Sequence, residues 1–381
     1  MYARNIQTDI DLYLKNDSHK IFFIWGPRRS GKTTILKALA KKLNLPIFNF
    51  DLLSDQEKFS PDRQTLQNLV SGVKVILIDE VQNHPESVLA LKILFDEFNI
   101  KIIATGSSEL RQKSANFDSL SGRFTDHYCL PLAIQEISDN NQTKSYQQSN
   151  FQEKLQNDIQ IFGSYPEIYI DQKQSDSAKI DLLQNILDTY ILKDVVNIYN
   201  LKDTKLAKDI LTKIALQIGS EVSLREIAGS LNANVVTVSN YIEIFIKNYI
   251  LIPLPSFKTN LRRAVSENRK LYFYDLGIRN ILIKDFRPQN LRPDSGGVFE
   301  NFIISEIEKQ KRNKNVQCTL YFYREYNGQE IDLVIEDYQK KYSCFEIKTS
   351  SNSQTKTIFP LPHKLTYLTP KNYFHEITVN F

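Results

Sequence analysis

The residue types and spacing of one N-terminal segment suit phosphate chemistry. Residues 26–33 read GPRRSGKT and match G-x-x-x-x-G-K-[ST] at each fixed position. A triphosphate needs several converging backbone N–H donors, and side chains at the two glycines would block that approach. Lys32 would neutralise phosphate oxygens, and the Thr33 hydroxyl would ligate Mg²⁺. The candidate phosphate-binding residues are Gly26, Pro27, Arg28, Arg29, Ser30, Gly31, Lys32, Thr33 and Thr34.

A second signal is a pair of carboxylates at the end of an apolar run. Val75–Ile78 predicts a buried parallel strand, and Asp79 and Glu80 follow at its carboxyl end, where ligands bind in open α/β sheets. Asp79 would hold the Mg²⁺ shell, and Glu80 would polarise the attacking water. Together with Lys32, this pair predicts a site that hydrolyses ATP.

Further candidates follow the next apolar run, Lys101–Thr105. A hydroxyl there could sense the γ-phosphate from a neighbouring strand; Ser107 is the first choice and Thr105 the second, with ordinary turn chemistry as the alternative. Arg123 could act as an arginine finger on this site or on a neighbouring subunit's site. The alternative for Arg123 is an ordinary surface arginine.

Carboxylates and a lysine recur at strand spacing near the C-terminus. Glu330–Ile335 alternates as a strand does, and Glu346 and Lys348, two residues apart, share one face of the next strand. If the strands pair, Asp332 joins that face, and Glu300 on an upstream helix adds a third carboxylate. Such a set hydrolyses phosphodiesters, with Asp332 and Glu346 as metal ligands and the lysine positioning water. The alternative is an ion pair in an inactive domain.

The elements that must position these residues divide into four predicted segments. Residues 1–137 alternate β-type runs with helical patterns, which predicts a P-loop core with a parallel sheet and crossover helices. A polar loop and a helical lid follow over 138–202. Residues 203–260 read as helix, turn, helix and hairpin, a winged-helix pattern. Residues 261–381 return to strands around the C-terminal carboxylates, which predicts a further α/β domain.

The charges along the chain give conflicting signals about nucleic acid. The second helix of the winged-helix pattern offers Lys247 as its only cation, opposed by Glu243, which favours a packing role. In contrast, Phe257–Pro293 carries nine Lys/Arg against three acids, with aromatic residues between them. That composition is typical of a nucleic-acid footprint, and equally of a solvated charged face.

Composition limits the remaining classes of protein. The 381 residues are 41% hydrophobic and 24% charged, with a formal net charge of +4, which excludes wholesale disorder and a collagen-like chain. The three cysteines lie far apart without Cys-x-x-Cys pairs, which predicts reduced thiols. No apolar run approaches the ~20 residues of a bilayer span, and the N-terminus lacks a signal-peptide pattern. We therefore expect a soluble, cytoplasmic protein without a membrane partner.

The combined motifs resemble a known family. The chain looks like the bacterial and archaeal AAA-type ATPases that carry a C-terminal domain of unknown function related to PD-(D/E)xK nucleases. The matching stretches are GPRRSGKTT (26–34), VILIDEVQ (75–82), ATGSSEL (104–110), LSGR (120–123), GSYPE (163–167), YILKDVV (190–196), KLYFYDLG (270–277), GGVFENFIISEI (296–307), GQEIDLVIE (328–336) and FEIKTS (345–350). Two positions depart from the patterns: Ile331 stands where the nuclease name has proline, and Ser164 where a second glycine is usual.

The resemblance implies a P-loop AAA-type ATPase core, a helical and winged-helix middle, and a C-terminal α/β domain of the restriction-endonuclease type. It assigns ATP and Mg²⁺ to the P-loop and its carboxylates. It assigns the nuclease-type site to Glu300, Asp332, Glu346 and Lys348.

Two functional hypotheses follow from these patterns. The first is an ATP-hydrolysing switch or motor coupled to a nuclease-like domain that engages or cuts nucleic acid, with DNA favoured over RNA. The second is a regulatory ATPase whose C-terminal domain binds protein or DNA without catalysis. A homo-oligomer or a protein partner is compatible with both. A small-molecule kinase is disfavoured, because the region up to residue 137 lacks an evident acceptor pocket.

Overall fold

The chain forms two compact units, residues 1–130 and 131–381. The division lies before the predicted boundary at 137, because the backbone from Leu132 onward bonds within the second unit; the Leu132 N–H donates to the Ser164 carbonyl at 2.8 Å. The fold is seen in a computed structural model that describes residues 2–106, 116–141, 145–194, 203–258, 269–325, 329–349 and 359–380.

A parallel sheet of five strands forms the centre of the first unit, in the order β2-β3-β4-β1-β5. Its strands are β1 (Ile21–Trp25), β2 (Ile47–Asn49), β3 (Val75–Asp79), β4 (Lys101–Gly106) and β5 (Phe124–Tyr128). Its helices are α1 (Asn5–Lys15), α2 (Lys32–Leu43), α3 (Leu53–Gln56), α4 (Arg63–Val70) and α5 (Ser87–Phe98).

The predicted alternation of strands and helices in the first unit is confirmed, because the apolar runs become buried strands. All five residues of β1 are buried, as expected of a central parallel strand. Phe22 and Ile24 pack in one cluster with Ile35 and Leu36 of α2. The patterns do not predict β5, whose polar sequence FTDHY is only half-buried and pairs with β1 at the sheet edge.

The second unit combines a helical part with two sheets, ordered β6-β8-β7 and β12-β11-β10-β9. Its helices are α6 (Ile134–Asn140), α7 (Gln148–Phe162), α8 (Pro166–Tyr169), α9 (Asp176–Asn185), a π-helix (Ile186–Asp194), α10 (Thr204–Leu216), α11 (Leu224–Ser230), α12 (Val235–Lys247), α13 (Leu276–Ile283), α14 (Ser295–Asn313) and α15 (Tyr373–Asn380). Its strands are β6 (Glu221–Val222), β7 (Leu251–Pro255), β8 (Arg269–Phe273), β9 (Cys318–Arg324), β10 (Glu330–Asp337), β11 (Tyr342–Ile347) and β12 (His363–Leu368).

The three-stranded sheet crosses the predicted domain boundary at 260/261. β8 pairs antiparallel with both β6 and β7, although it falls in the predicted C-terminal segment, residues 261–381. Residues of α13 share an apolar cluster with α10 and α12. An alternating pattern predicts that a strand forms, but it does not name the sheet that the strand joins.

The two sheets of the second unit meet where β7 ends. Ser256 forms a parallel bridge to Phe322 of β9, and the Phe257 N–H donates to the Phe322 carbonyl at 2.7 Å. The Phe257 ring packs against Phe359, with ring centroids 4.9 Å apart. The hairpin of the middle region is therefore continuous with the C-terminal sheet.

The helices have the lengths of globular proteins, and α14, with 19 residues, is the longest among the described residues. Within those same residues, no helix combines the length and apolar character that a bilayer crossing requires.

Candidate functional site

The predicted phosphate-binding residues lie at the carboxyl edge of the first unit's sheet. Residues 26–31 connect β1 to α2, and Asp79 ends β3. β4 lies between β1 and β3, so Thr105 is placed between the loop and the carboxylates. Carboxyl ends of parallel strands meet at one edge, where ligands bind in open α/β sheets.

The two loop glycines are required for backbone reasons. A Cβ at Gly26 would lie 2.0 Å from the carbonyl oxygen of Cys129, so the close neighbour of Gly26 is the chain that follows β5. Gly31 has φ +103°, a conformation that L side chains rarely adopt. The glycine spacing is therefore explained by packing against Cys129 and by the loop's turn into α2, in addition to ligand access.

The Lys32 side chain folds back onto its own loop. Lys32 is 4% exposed, and its Nζ donates to the carbonyl oxygens of Gly26 and Pro27 at 2.8 Å each. Burial lowers the pKa of Lys32, and the carboxylates of Glu80 and Asp79 oppose that shift. The ammonium thus has neutral acceptors as hydrogen-bond partners and can exchange them for an anion.

The remaining loop residues range from buried to exposed. Ser30 is buried and its hydroxyl donates to the Pro27 carbonyl at 2.8 Å. Thr33 is half-buried at the start of α2, and Thr34 and Arg29 are exposed. A hydroxyl at Thr33 and a carboxylate at Asp79 are hard oxygen ligands, so this donor set fits Mg²⁺.

Thr105 connects the two carboxylates at the end of β3. Its hydroxyl donates to Asp79 Oδ1 in a short hydrogen bond, and it accepts the Glu80 N–H at 3.4 Å. Glu80 has φ +55°, which is uncommon for a non-glycine residue, and Gln82 Nε2 donates to its carboxylate. Residues held in such conformations cluster at functional sites. Ser107, the first choice for this role, lies outside the described residues.

Arg4 is a P-loop contact that the sequence patterns miss. It is 7% exposed, and its guanidinium donates to the carbonyl oxygens of Ser30 at 2.8 Å and Leu130 at 2.6 Å. It lies just before α1, far from the motif in sequence, and no local pattern marks it.

Arg123, the candidate arginine finger, has partners within its own unit. Its Nε lies 2.7 Å from Asp96 Oδ1 on α5, and its Nη1 donates to the Ser119 carbonyl at 3.2 Å. A hydrogen bond from Arg123 lowers the pKa of Asp96. A role for Arg123 at a neighbouring subunit's site stays a prediction.

The C-terminal candidates converge, with one addition. Carboxylate oxygens of Glu300, Glu330 and Asp332 all lie within 4.8 Å of one another. Glu300 projects from α14, and the other two lie on β10. Glu330 is absent from the predicted set, although it stands on the same strand face as Asp332, two residues away.

Lys348, directly after β11, contacts both Asp332 of β10 and Glu346 of β11. Lys348 Nζ lies 2.9 Å from Glu346 Oε2 and 3.7 Å from Asp332 Oδ2. Asp332 Oδ2 also accepts the Ile347 N–H at 2.7 Å. The Lys348 ammonium thus lies between the two predicted metal ligands, and their role stays a prediction.

A second lysine lies among the carboxylates. Lys270 of β8 is 1% exposed, and its Nζ lies 2.9 Å from Glu300 Oε1 and in ion-pair contact with Glu330 Oε1. Tyr272, two residues along β8, donates to the same Glu300 oxygen. Arg324 contacts the other oxygen of Glu330 and reaches Glu221 at 2.8 Å.

These contacts set the protonation of the cluster. Burial raises the pKa of Glu300, with Lys270 opposing, and burial likewise raises the pKa of Asp332. Burial alone would lower the pKa of Lys270, but Glu300 and Glu330 outweigh it and raise that pKa. A divalent metal does not fit Glu300 and Glu330 as it fits Asp79, because Lys270 and Arg324 already neutralise those two carboxylates. Asp332 and Glu346, the predicted metal ligands, have Lys348 as their cation.

Five cations of the basic segment over 257–293 form ion pairs among the described residues. Arg262 and Arg263 lie outside the described residues. Arg269 pairs with Glu243 at 2.7 Å, and Arg287 with Asp285 at 2.8 Å. The buried cations also have carboxylate partners: Lys270 as above, and Arg279 and Arg292 with Asp294. The interleaved aromatics Tyr272, Phe273 and Tyr274 are buried. At these positions the cations already have carboxylate partners, whereas Lys258 and Lys284 are exposed, so nucleic-acid binding by this segment stays a prediction.

Three family models match the chain in succession. Residues 18–138 match an AAA domain, residues 140–289 a domain of unknown function (DUF8612), and residues 295–372 another domain of unknown function (DUF4143). The first unit is an AAA-type P-loop domain. The C-terminal match names no activity, so the nuclease resemblance stays a prediction.

Similar proteins and structures exist at low identity. An uncharacterized protein of Methanocaldococcus jannaschii is 26% identical, over 92% of this chain and 80% of its own length. An uncharacterized protein of Haemophilus influenzae is also 26% identical, over 69% of each chain. Among solved structures, the Holliday junction branch migration motor RuvB of Thermotoga maritima is 16% identical, with a TM-score of 0.31, covering 66% of this chain and 89% of that chain. Aeropyrum pernix ORC1 in complex with DNA is 13% identical, with a TM-score of 0.31, covering 74% and 91%.

Proposed function

We propose that the first unit binds and hydrolyses ATP with Mg²⁺ and that its nucleotide state is transmitted to the second unit. One observation carries this proposal. The buried Lys32 ammonium and the hydrogen-bonded cluster of Thr105, Asp79 and Glu80 lie at the same edge of the sheet. The match to an AAA domain over 18–138 supports it.

Each residue has a distinct role in this reaction. Lys32 exchanges its two carbonyl partners for phosphate oxygens, which gain a cation in a low-dielectric site. Thr33 and Asp79 hold Mg²⁺, which neutralises charge on the phosphates. Glu80 polarises the attacking water, and Gln82 fixes its carboxylate. Thr105 fixes Asp79 and is a candidate sensor of the γ-phosphate.

Transmission begins where the P-loop touches the end of the first unit. The Cys129 N–H donates to the Trp25 carbonyl at 2.7 Å, and the Cys129 carbonyl lies against Gly26. Arg4 links Ser30 of the loop to Leu130. A shift of the loop on binding phosphate would therefore move Cys129 and Leu130.

The chain is anchored again directly after Pro131, whose ring fixes φ and limits slack. Buried Lys309 of α14 donates to the Leu132 carbonyl at 3.2 Å and pairs with buried Glu306 at 2.7 Å. Glu306 in turn accepts the Ile134 N–H at 2.8 Å. Leu130 is thus joined through the backbone to Leu132 and Ile134, which are hydrogen-bonded to α14, the helix that carries Glu300.

ATP turnover tests the first part of the proposal. We expect Lys32→Ala to abolish turnover and weaken ATP binding, and Glu80→Gln to bind ATP but hydrolyse it about 10²-fold or more slowly. Lys37→Ala, an exposed lysine on the same helix, is the matched control and should keep full activity. Wild-type turnover that persists in Lys32→Ala would contradict the proposal.

Hydrogen exchange tests the transmission. In wild type, a non-hydrolysable ATP analogue should change exchange at the Leu132 and Ile134 amides, which bond to Ser164 and Glu306. Lys32→Ala should show no such change. Unchanged exchange at both amides in nucleotide-saturated wild type would rule this route out.

A second candidate function is metal-dependent cleavage of nucleic acid at the C-terminal sheet, as the resemblance implies. The contact of Asp332, Glu346 and Lys348 favours it. The test is cleavage of plasmid and linear DNA in Mg²⁺ or Mn²⁺, with and without ATP. Cleavage lost in Asp332→Ala would support it, and the Lys32→Ala lane would report control by ATP. Absence of cleavage, with ATP turnover intact, would favour the regulatory ATPase with a protein- or DNA-binding C-terminal domain.

A further inference from the structure

We propose that Lys270 is the resident cation of the Glu300–Glu330–Asp332 cluster, that it excludes a divalent metal from those three carboxylates, and that the cluster joins the two sheets of the second unit. The inference goes beyond the proposed function and does not depend on ATP hydrolysis. Glu300, Glu330 and Asp332 could together hold a metal by their mutual distances, but the chain itself supplies a cation, Lys270, to two of them.

The Lys270 ammonium occupies the position that a metal would need. Its Nζ bonds Glu300 Oε1 at 2.9 Å and contacts Glu330 Oε1. A metal ligated by those oxygens would sit at about 2.0–2.6 Å from each and so within a few ångströms of Nζ. Two cations at that separation repel strongly in a site where Lys270 is 1% exposed.

Lys270 is also held in place by its strand. β8 is the middle strand of its sheet, and Lys270 pairs with Leu254 on one side and Glu221 on the other. Its ammonium lies 5.5 Å from the centroid of the Phe322 ring. If the Lys270 side chain left the carboxylates, its ammonium would be an unpaired charge in apolar surroundings, which is costly.

The same strand makes further contacts with α14, so the lysine is part of a larger junction. Tyr272 projects from the same strand face as Lys270 and donates to Glu300. The buried Asn301 side chain exchanges two hydrogen bonds with the Phe273 backbone, at 2.8 Å each. Because β6 covers only Lys270 and Arg269, Asn301 takes the backbone groups that a longer edge strand would bond.

The experiment is a Mn²⁺ titration of the nucleotide-free full chain, followed by thermal unfolding, in wild type and Glu330→Gln. We expect the two titrations to coincide, because wild type holds no metal at Glu330. Lys270→Met should then gain a concentration-dependent rise in Tm of at least about 2 °C, and Lys270→Met/Glu330→Gln should lose that gain. A wild-type rise that Glu330→Gln removes would overturn the proposal.

Folding of Lys270→Met is checked by far-UV circular dichroism before titration. If it does not fold, Lys270→Met/Glu300→Gln removes one buried charge of each sign and keeps Glu330 and Asp332 for the metal. A Mn²⁺-dependent rise in Tm larger than that of wild type supports the proposal, and a rise equal to that of wild type overturns it. Should neither variant fold, the comparison of wild type with Glu330→Gln decides. Mn²⁺ bound at the P-loop contributes equally to all these proteins and cancels.

Discussion

Lys32 in the first unit and Lys270 in the second are both buried among oxygen atoms, and the two lysines differ in the charge of those oxygens. Lys32 bonds two neutral carbonyl oxygens of its own loop, whereas Lys270 bonds two carboxylates from α14 and β10. Burial lowers the pKa of Lys32, and the carboxylates of Glu300 and Glu330 overcome burial and raise that of Lys270. A buried ammonium with neutral partners gains from an arriving anion, but one with anionic partners is already neutralised. We therefore expect Lys32 to be a binding group and Lys270 a structural one.

The largest expected effect is on the stability of the second unit. Lys270→Ala removes a buried cation and leaves the half-buried Glu300 and Glu330 without it, so the free energy of unfolding should fall by about 3–5 kcal/mol. Arg269→Ala, at the adjacent position, breaks a half-exposed pair with Glu243 and should cost under about 1 kcal/mol. Urea unfolding followed by circular dichroism measures both. Equal losses in the two variants would remove the distinction between the lysines.

Lys32→Met should have the opposite profile. It removes an ammonium whose hydrogen-bond partners are neutral carbonyl oxygens, so no carboxylate loses a hydrogen-bonded cation and the first unit should keep its stability to within about 1 kcal/mol. ATP should stabilise wild type against heat and leave Lys32→Met unaffected. A loss of stability as large as that of Lys270→Ala would show that Lys32 is structural as well.

Thr105→Val tests whether the carboxylates of the first unit depend on a positioned hydroxyl. Removing the donor to Asp79 and the acceptor of the Glu80 N–H should slow ATP turnover about tenfold, since such a bond is worth about 1–3 kcal/mol when a partner is left unsatisfied. Thr105→Ser keeps the hydroxyl and should restore turnover. An unchanged kcat in Thr105→Val would exclude a role in hydrolysis.

The smallest expected effect is the dependence of the unfolding free energy on alkaline pH. It tests the comparison of the two lysines most directly. The pKa of Lys270 is raised in the folded state, so its stabilisation is present below its unfolded pKa of about 10.5 and is lost as pH rises through the folded value. The pKa of Lys32 is lowered, so its contribution to stability increases with pH between its folded value and 10.5. The difference in unfolding free energy between wild type and each methionine variant, measured from pH 8 to 11, should therefore slope in opposite directions. Parallel slopes would contradict the assignment.

The sequence predicts which residues of the first unit lie together at the sheet edge, because they rest on local signals. The spacing around Lys32 and the apolar runs before Asp79 and Thr105 each specify a strand end, and parallel strands bring those ends together. Arg4 is missed because its partner, Ser30, is distant along the chain and no short pattern contains both.

The second unit's site depends on ion pairs between residues that are distant in the sequence. Lys270 falls in a run of positive charge, and only the fold reveals that Glu300 and Glu330 neutralise it. The same holds for Arg279 and Asp294. Local charge counts allow a nucleic-acid surface or a solvated face, and they do not reveal that Lys270 and Arg279 belong to a network of ion pairs.

The junction between β8 and α14 has a consequence for dissecting the chain into fragments. A piece cut at the start of the C-terminal family match, residue 295, retains Glu300, Glu330 and Asp332 but discards Lys270, and it also leaves Phe359 without Phe257. Such a fragment would display an uncompensated acidic centre that the intact chain does not possess. Metal affinity measured with that fragment alone would belong to the truncated fragment and not to the intact chain.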